Sequence, residues 1–471
     1  MINCRISLFL ALLFAGTAHA STTALDASFG VGGVQRVGGL RATGMDYFAY
    51  AVTYDANGAI LVAGRGESVV ADCCQLLPTV ARFHPDGTWD TGFATNGLFI
   101  LPSSTPSIPV GGEIHNVRSF SDGRILAVGG RYSASAANYD SCTLVMKLTT
   151  SGTLDPTFGK DHSGSFCFDF GPPAFYYYHL EGVFVDSDDT FYVTTYATSL
   201  DHGAVAHFDA NGILLATYGN NGIASLPVGI YASLIERVAG NELQLTGIRH
   251  TPSDESLATL RLDATGQLDE SYGSGGVHVL DTLASPGVVL AEFAATDAQG
   301  RLVVAVDDTP DNNILWQPFR IGRITPSGAD DLSFNSDGQQ SGPPGFGTLS
   351  ALSGQDNLVV AAHPLPDGHI LVIGSTHTGL ALARLNGDAS YDASFGDANH
   401  PGWWTSDFAG SFFGYEARSP TALDGLGHLL IATKIGRDAN GQPCPALIRL
   451  IPDRIFNDGL EADPVPDTCP P

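Results

Sequence analysis

The chain has 471 residues and a formal net charge of −27, with 49 acidic against 22 basic side chains. Its 56 glycines and 27 prolines exclude a mostly helical protein, and a hydrophobic content of 44% excludes disorder. The acidity excludes nucleic-acid binding, which needs a basic surface to release counterions, and gives no support for docking on anionic lipid.

Residues 1–20 have the form of a secretory signal. Arg5 sits in a short leading region, Ile6 to Ala15 is apolar, and Ala18-His19-Ala20 is a small-x-small cleavage site. The apolar run is too short to span a bilayer, which takes roughly 20 residues. The expected mature chain is therefore exported to the medium, periplasm or cell surface, after cleavage near Ala20. Losing Arg5 leaves it with a charge of −28. Cys4 departs with the signal. Cys73, Cys74, Cys142, Cys167, Cys444 and Cys469 remain, an even number that suits disulfides in an exported chain. Six cysteines allow 15 pairings, and sequence does not choose among them. A bridge between the third and fourth strands of one unit, Cys142–Cys167, is the simplest guess. Vicinal Cys73 and Cys74 are expected to bond outward or stay free, and Cys444–Cys469 would pin the tail.

From residue 25 the chain repeats itself. An aromatic mark, as in Leu25-Asp26-Ala27-Ser28-Phe29-Gly30 and Leu154-Asp155-Pro156-Thr157-Phe158-Gly159, recurs with its ring at 29, 93, 158, 218, 272, 334, 395 and 456. Eight marks bound seven units of about 60 residues, a repeat architecture. Each unit has a Gly/Asp turn before an aliphatic run, such as Asp55-Ala56-Asn57-Gly58 before Ile60-Leu61-Val62-Ala63-Gly64. Short apolar runs bounded by such turns read as buried strands. A third strand then carries a base between apolar residues: Arg82, Lys147, His207, Arg261, Arg323, Arg384 and Arg449. An Asp lies eight residues beyond Arg82, Lys147, Arg261, Arg323 and Arg384. Where the base is His207, that place is Leu215, so acid and strong base disappear together. The offset predicts a recurring ion pair or shared hydrogen-bond network. We read it as a structural clasp rather than seven ligand-binding arginines, because catalysis does not need seven copies.

Seven units of four short strands predict an all-β, seven-bladed propeller, with an open β-solenoid as the alternative. The first mark and Val34-Gln35-Arg36-Val37 form the end of a unit without its beginning. The last unit lacks a convincing fourth strand. The N-terminal piece is thus expected to supply that strand and close the ring. The resulting division is 1–20 signal, 21–456 propeller and 457–471 an acidic, Pro-rich tail.

The aliphatic strand after an Asp-Gly turn, the apolar-Arg-apolar strand and the Leu-Asp-x-x-Phe-Gly corner together resemble the delta-60 repeat of secreted bacterial β-propeller-like proteins. The resemblance covers roughly residues 25 to 456 and departs from the pattern at Leu215, Asn335 and the last mark. It implies a fold and an exported or surface location. It transfers no catalytic residues, since fold analogy does not supply function.

Chemistry is sparse. There is no nucleophile elbow, zinc-protease motif or Walker loop, so no catalytic, cofactor-binding or metal residue is assigned and no cofactor is expected. Asp186-Ser187-Asp188-Asp189 and Asp307-Asp308-Thr309-Pro310-Asp311-Asn312-Asn313 invite a calcium reading but lack the ligand spacing, and solvated turns are preferred. His363, His369 and His377 gather around one strand. His369 and His428 stand where other units have Arg124 and Arg301, which makes them strand-start surface residues. Phe175-Tyr176-Tyr177-Tyr178, Trp403-Trp404 and Phe412-Phe413-Gly414-Tyr415 could stack on sugars or grip a protein if exposed, but core packing is preferred. Three functions stay open. They are a secreted or surface binding scaffold for a protein or glycan, a propeller hydrolase, lactonase or lyase acting at the central channel, and a structural surface component. The first is preferred, as a monomer without a membrane span or nucleic-acid partner, leaning away from catalysis.

Overall fold

The computed structural model describes residues 25–37, 45–70, 73–102, 110–135, 138–168, 182–195, 201–251, 255–285, 288–309, 320–336, 340–342, 344–349, 358–376, 379–397, 400–406, 420–437 and 443–452. The signal, the tail and the final aromatic mark at Phe456 fall outside this set.

Each apolar run is a strand, and the strands form seven antiparallel four-stranded sheets in a ring. From the channel outward, blade 1 is Met45–Tyr54, Ile60–Val70, Cys73–Phe83 and Leu98–Ile100. Blade 2 is Val110–Ser119, Ile125–Ser135, Asn138–Leu148 and Ser165–Phe168. Blade 3 is Val183–Val185, Phe191–Thr195, Ala204–Phe208 and Ile223–Ser225; blade 4 is Ile230–Val238, Glu242–His250, Glu255–Leu262 and Val277–Ser285. Blade 5 is Val288–Thr296, Leu302–Thr309, Arg320–Ile324 and Phe346–Thr348; blade 6 is Leu358–Pro364, Ile370–Thr376, Gly379–Leu385 and Trp403–Thr405. Blade 7 takes Thr421–Leu423, Leu429–Arg437 and Pro443–Leu450 from the end of the chain and Val34–Arg36 from its beginning. Val34 pairs with Ile448, Gln35 with Leu447 and Arg36 with Ala446. The N-terminal piece closes the wheel, as expected.

Seven apolar clusters lie one at each of the seven blade interfaces, including that between blades 7 and 1. An open stack would have one interface fewer than units, so the solenoid alternative is excluded. Two buried faces per sheet explain why the second strands are aliphatic without alternation. Ile60, Leu61, Val62 and Ala63 are all fully buried.

The inner strand is bulged at the same place in blades 1, 2, 4, 5 and 6, at Tyr50, His115, Ser233, Glu292 and Val360. The glycine ending the aliphatic run is what the bulge requires. A Cβ on Gly64 would lie 1.7 Å from the Phe48 carbonyl oxygen, and one on Gly129 would lie 2.1 Å from that of Glu113.

The clasp is real but less uniform than its spacing suggests. Arg82–Asp90 and Arg323–Asp331 pair at 2.7 Å and Arg384–Asp392 at 2.6 Å. Arg449 pairs at 2.7 Å with Asp26 of the first mark, so that mark belongs to blade 7. Each of these guanidiniums also covers the aromatic ring of its mark, at 4.5–5.2 Å. The base further reaches the next blade. Arg82 Nη1 donates to Thr150 O (2.7 Å), Lys147 Nζ to Ala210 O (2.6 Å), Arg323 Nη1 to Gly387 O (2.6 Å) and Arg449 Nη1 to Pro85 O.

Two expected pairs need correction. Asp155 is held by Arg124 at 2.9 Å while Lys147 lies over the Phe120 ring at 4.1 Å. Arg261 does not bond Asp269. Glu242, which stands where blades 2 and 5 carry Arg124 and Arg301, draws Arg261 to 3.5 Å, and Gln244 accepts from its Nη2 at 3.3 Å. A competing carboxylate on the neighbouring strand has replaced the clasp. In blade 3 His207 stacks on Tyr192 with ring centroids 3.9 Å apart, and burial lowers its pKa to about 4, leaving a neutral aromatic in the clasp position.

Candidate functional site in the channel wall

The inner strands converge on the axis, so side chains there meet whatever enters the channel. Two polar levels occur along them.

The level at the bulges is a packed ionic network between blades 1 and 2. Arg65 Nη1 is 2.7 Å from Glu113 Oε2, and Arg65 Nη2 is 2.8 Å from Glu67 Oε1. His115 Nε2 is 3.2 Å from Glu113 Oε1. The Arg65 guanidinium lies 5.0 Å from the Phe48 ring centroid and 5.5 Å from that of Tyr50. Glu113 and His115 are buried, and so is Glu292, the bulge residue of blade 5.

The second level lies nearer the turns that join first and second strands. The ladder register defines it. Thr53 pairs with Leu61 and Leu61 with Arg82. The same rung in blades 2 to 7 begins with Arg118, Phe184, Glu236, Ala295, His363 and Ala422. One residue per blade therefore forms a ring at one height, set by the clasp base two strands away. Blades 2, 4 and 6 each place an ionisable group there.

All three keep partial solvent access. His363 Nε2 is 2.9 Å from Thr421 Oγ1 of blade 7, and its ring meets Phe293 edge-on at 4.6 Å. Burial pushes its pKa down to about 4, so it is neutral at pH 7. Glu236 accepts from Thr296 N at 3.1 Å and from Thr296 Oγ1. Burial raises its pKa in spite of those bonds. Arg118 donates from Nη1 to the Val117 carbonyl at 2.8 Å, and burial lowers its pKa. It has no carboxylate partner. Nine other arginines, at 65, 82, 124, 237, 261, 301, 323, 384 and 449, each touch one.

Residues singled out from sequence fare differently. Trp404 is buried in the cluster between blades 6 and 7, and Trp403 packs on His400 at 4.1 Å, so this pair is core. The other two aromatic groups, 175–178 and 412–415, lie outside the described residues. His369 and His428 pair with Asp367 and Asp424 of their own turns, at 3.0 and 2.8 Å. His377 lies outside the described residues.

Asp186–Asp189 is the turn between first and second strands of blade 3. Asp186 pairs with Arg237, Asp188 accepts from Thr190 at 2.7 Å, and Asp189 accepts from Ser121 of blade 2 at 2.6 Å. Its carboxylates are committed to the turn and to neighbouring blades. Among the described residues no three His, Cys, Asp or Glu are grouped to hold a metal ion. Residues 311–313 of the second acidic segment are outside the described set.

The Cys142–Cys167 disulfide joins third and outer strands of blade 2, with Cα atoms 5.5 Å apart. The side chains of Cys73, Cys74 and Cys444, and all of Cys469, are outside the description. Among the described residues no helix is long and apolar enough to cross a membrane.

The ring of Arg118, Glu236 and His363 was not read from sequence, although a signal exists. Each member lies seven residues before the first residue of its blade's second-strand core: 118 before 125, 236 before 243, and 363 before 370. Only the ladder register shows that this count marks a common height.

Comparison with known proteins supports the fold and little else. A family model described as a domain of unknown function (DUF5122) beta-propeller matches residues 121–158 and 365–395. No curated protein matches the chain. Among solved structures, the chain is similar to the polysaccharide lyase Uly1 (9% identity, TM-score 0.45, covering 85% of this chain and 89% of that one). It is similar to the extracellular domains 1-2 of Drosophila Semaphorin 1a (8% identity, TM-score 0.42, 88% and 87%). A third is puromycin hydrolase (10% identity, TM-score 0.40, 83% of this chain and 50% of that one), of which the chain spans half the length. At such identities the likeness concerns the propeller fold, and these proteins have varied functions.

Proposed function

We propose that this is an exported, delta-60-type repeat propeller that serves as a recognition scaffold, binding a protein or glycan on one face of the wheel. One observation carries the reading: the two faces are built to different rules. On one face, first and second strands are joined by five residues in blades 1, 2, 3, 5, 6 and 7. Only blade 4 differs, using the short 3-10 turn Ala239–Asn241. On the opposite face the blade-to-blade connections run from 2 residues (between Ser285 and Val288) to 15 (between Thr405 and Thr421). The second-to-third connections there run from 2 residues (between Val70 and Cys73) to 10 (between Thr309 and Arg320). A rigid ring with one uniform face and one face different in every blade is how a scaffold presents recognition loops. Export rests on the leading segment and agrees with the disulfide of blade 2.

The test is binding to an array of neutral polysaccharides, acidic polysaccharides and secreted proteins. Residues 310–319 and 406–420 would be trimmed to the shortest connections that the other blades use. At least one probe should bind, and trimming should abolish that binding while a substitution on the uniform face, such as Leu426→Ser, leaves it intact. No binding anywhere, or binding indifferent to the trimming, would count against the scaffold.

A further inference from the structure

We infer that the channel wall around Arg118 is a binding site for a carboxylate. The argument is independent of the variable face. Arg118 lies on the innermost strand of blade 2, on the rung shared by all seven blades, and is still reached by solvent. Its single polar contact is Nη1 to the adjacent Val117 carbonyl, so the rest of the guanidinium fork is uncommitted. This is unusual here. The chain carries 49 carboxylates for 22 strong bases, and nine other arginines have found one. A guanidinium withdrawn from water without a counter-ion is costly, and an external anion repays that cost.

The surroundings choose the class of anion. A guanidinium fork matches the two oxygens of a carboxylate. The same ring holds a second acid, Glu236, bonded to Thr296, and an uncharged imidazole, His363, bonded to Thr421. With one free positive group at that height and −27 overall, a dianion such as phosphate or sulfate meets more repulsion than a single carboxylate does. On the neighbouring blades the rung offers the Thr53 hydroxyl and the Phe184 ring, a polar and an apolar contact for the body of an organic acid. The carboxylate could belong to a free small acid or be carried on an acidic polymer.

The test is calorimetric titration of the full chain with galacturonate, polygalacturonate, galactose and sulfate. At least one of the two carboxylate probes should bind, with galactose and sulfate about tenfold weaker or worse. Galacturonate binding assigns a free acid; binding of the polymer alone assigns a polymer-borne one. Arg118→Gln should weaken binding by about tenfold or more, the loss expected for a charge-assisted hydrogen bond. Arg118→Lys, which keeps the charge and loses the fork, should lie between. Should Arg118→Gln fail to fold, the guanidinium ¹⁵N resonances of the wild-type chain, assigned through Arg118→Lys, must shift on titration. No binding of either carboxylate probe, sulfate binding as tight as theirs, wild-type affinity in Arg118→Gln, or unmoved Arg118 resonances would overturn the site.

Discussion

The clasp that closes the wheel invites a quantitative test, because one blade lacks its equivalent. Arg449 places Nε and Nη2 each 2.7 Å from Asp26 Oδ2, donates from Nη2 to Ser28 Oγ at 3.2 Å, and reaches Pro85 O of blade 1 through Nη1. Both side chains of the pair are less than a tenth exposed. Removing one member of such a buried pair costs about 3–5 kcal/mol. Asp26 keeps its bonds from Ser28 N (3.0 Å) and Oγ (2.6 Å), which points to the lower end, about 3 kcal/mol for Arg449→Met. A double-mutant cycle with Asp26→Asn, read by urea unfolding, should give a coupling of about 1–3 kcal/mol. The same cycle on Arg261 and Asp269, eight residues apart like the other clasps, should be additive within about 0.5 kcal/mol, because Arg261 is turned to Glu242 and Gln244. Equal coupling at both places, or none at Arg449–Asp26, would refute the account of the clasp given above.

Further outcomes follow from the same geometry. His363 has a folded pKa near 4 against 6.5 for the free side chain, so the unfolded chain binds the extra proton first. Stability from this group is complete above pH 6.5 and is lost as pH falls towards 4, by at most about 3 kcal/mol; His363→Gln should flatten that part of a pH–stability curve. Below pH 4 the clasps should fail next. Burial works to raise Asp26, Asp331 and Asp392, but hydrogen bonds from Ser28, Ser333 and Ser394 and the paired arginines outweigh it and hold all three below 3.8. Their contribution is therefore present above 3.8 and disappears as pH drops through the folded values, so an acid-unfolding midpoint above pH 6 would contradict this order. Gly64→Ala puts a Cβ against the Phe48 carbonyl and should cost about 2 kcal/mol or more in urea unfolding; a neutral substitution would mean that the bulge is not rigid. Opening Cys142–Cys167 by the double serine variant releases a 25-residue loop and should cost about 3 kcal/mol, with no change on adding reductant to that variant.

The sequence by itself determined the wheel. A mark repeated every 54 to 65 residues, an aliphatic run with no alternation, and a half-unit at the front matched to a gap at the back specify seven sheets packed on both faces and sewn shut. Such features are legible because each depends on neighbours close along the chain or on a pattern copied seven times. The same copying misled where one copy had diverged: Glu242, on the adjacent strand, takes Arg261 from Asp269, and the spacing within the third strand carries no trace of that competition. Tertiary structure alone decided what faces the channel. Arg118, Glu236 and His363 stand at one height because ladder hydrogen bonds fix the inner strands in register, and they differ from blade to blade, so no repetition announces them. Lack of a partner is likewise a property of the folded neighbourhood. Nothing in the order of residues distinguishes Arg118, which has no carboxylate, from Arg82 or Arg449, whose aspartates hold them at 2.7 Å.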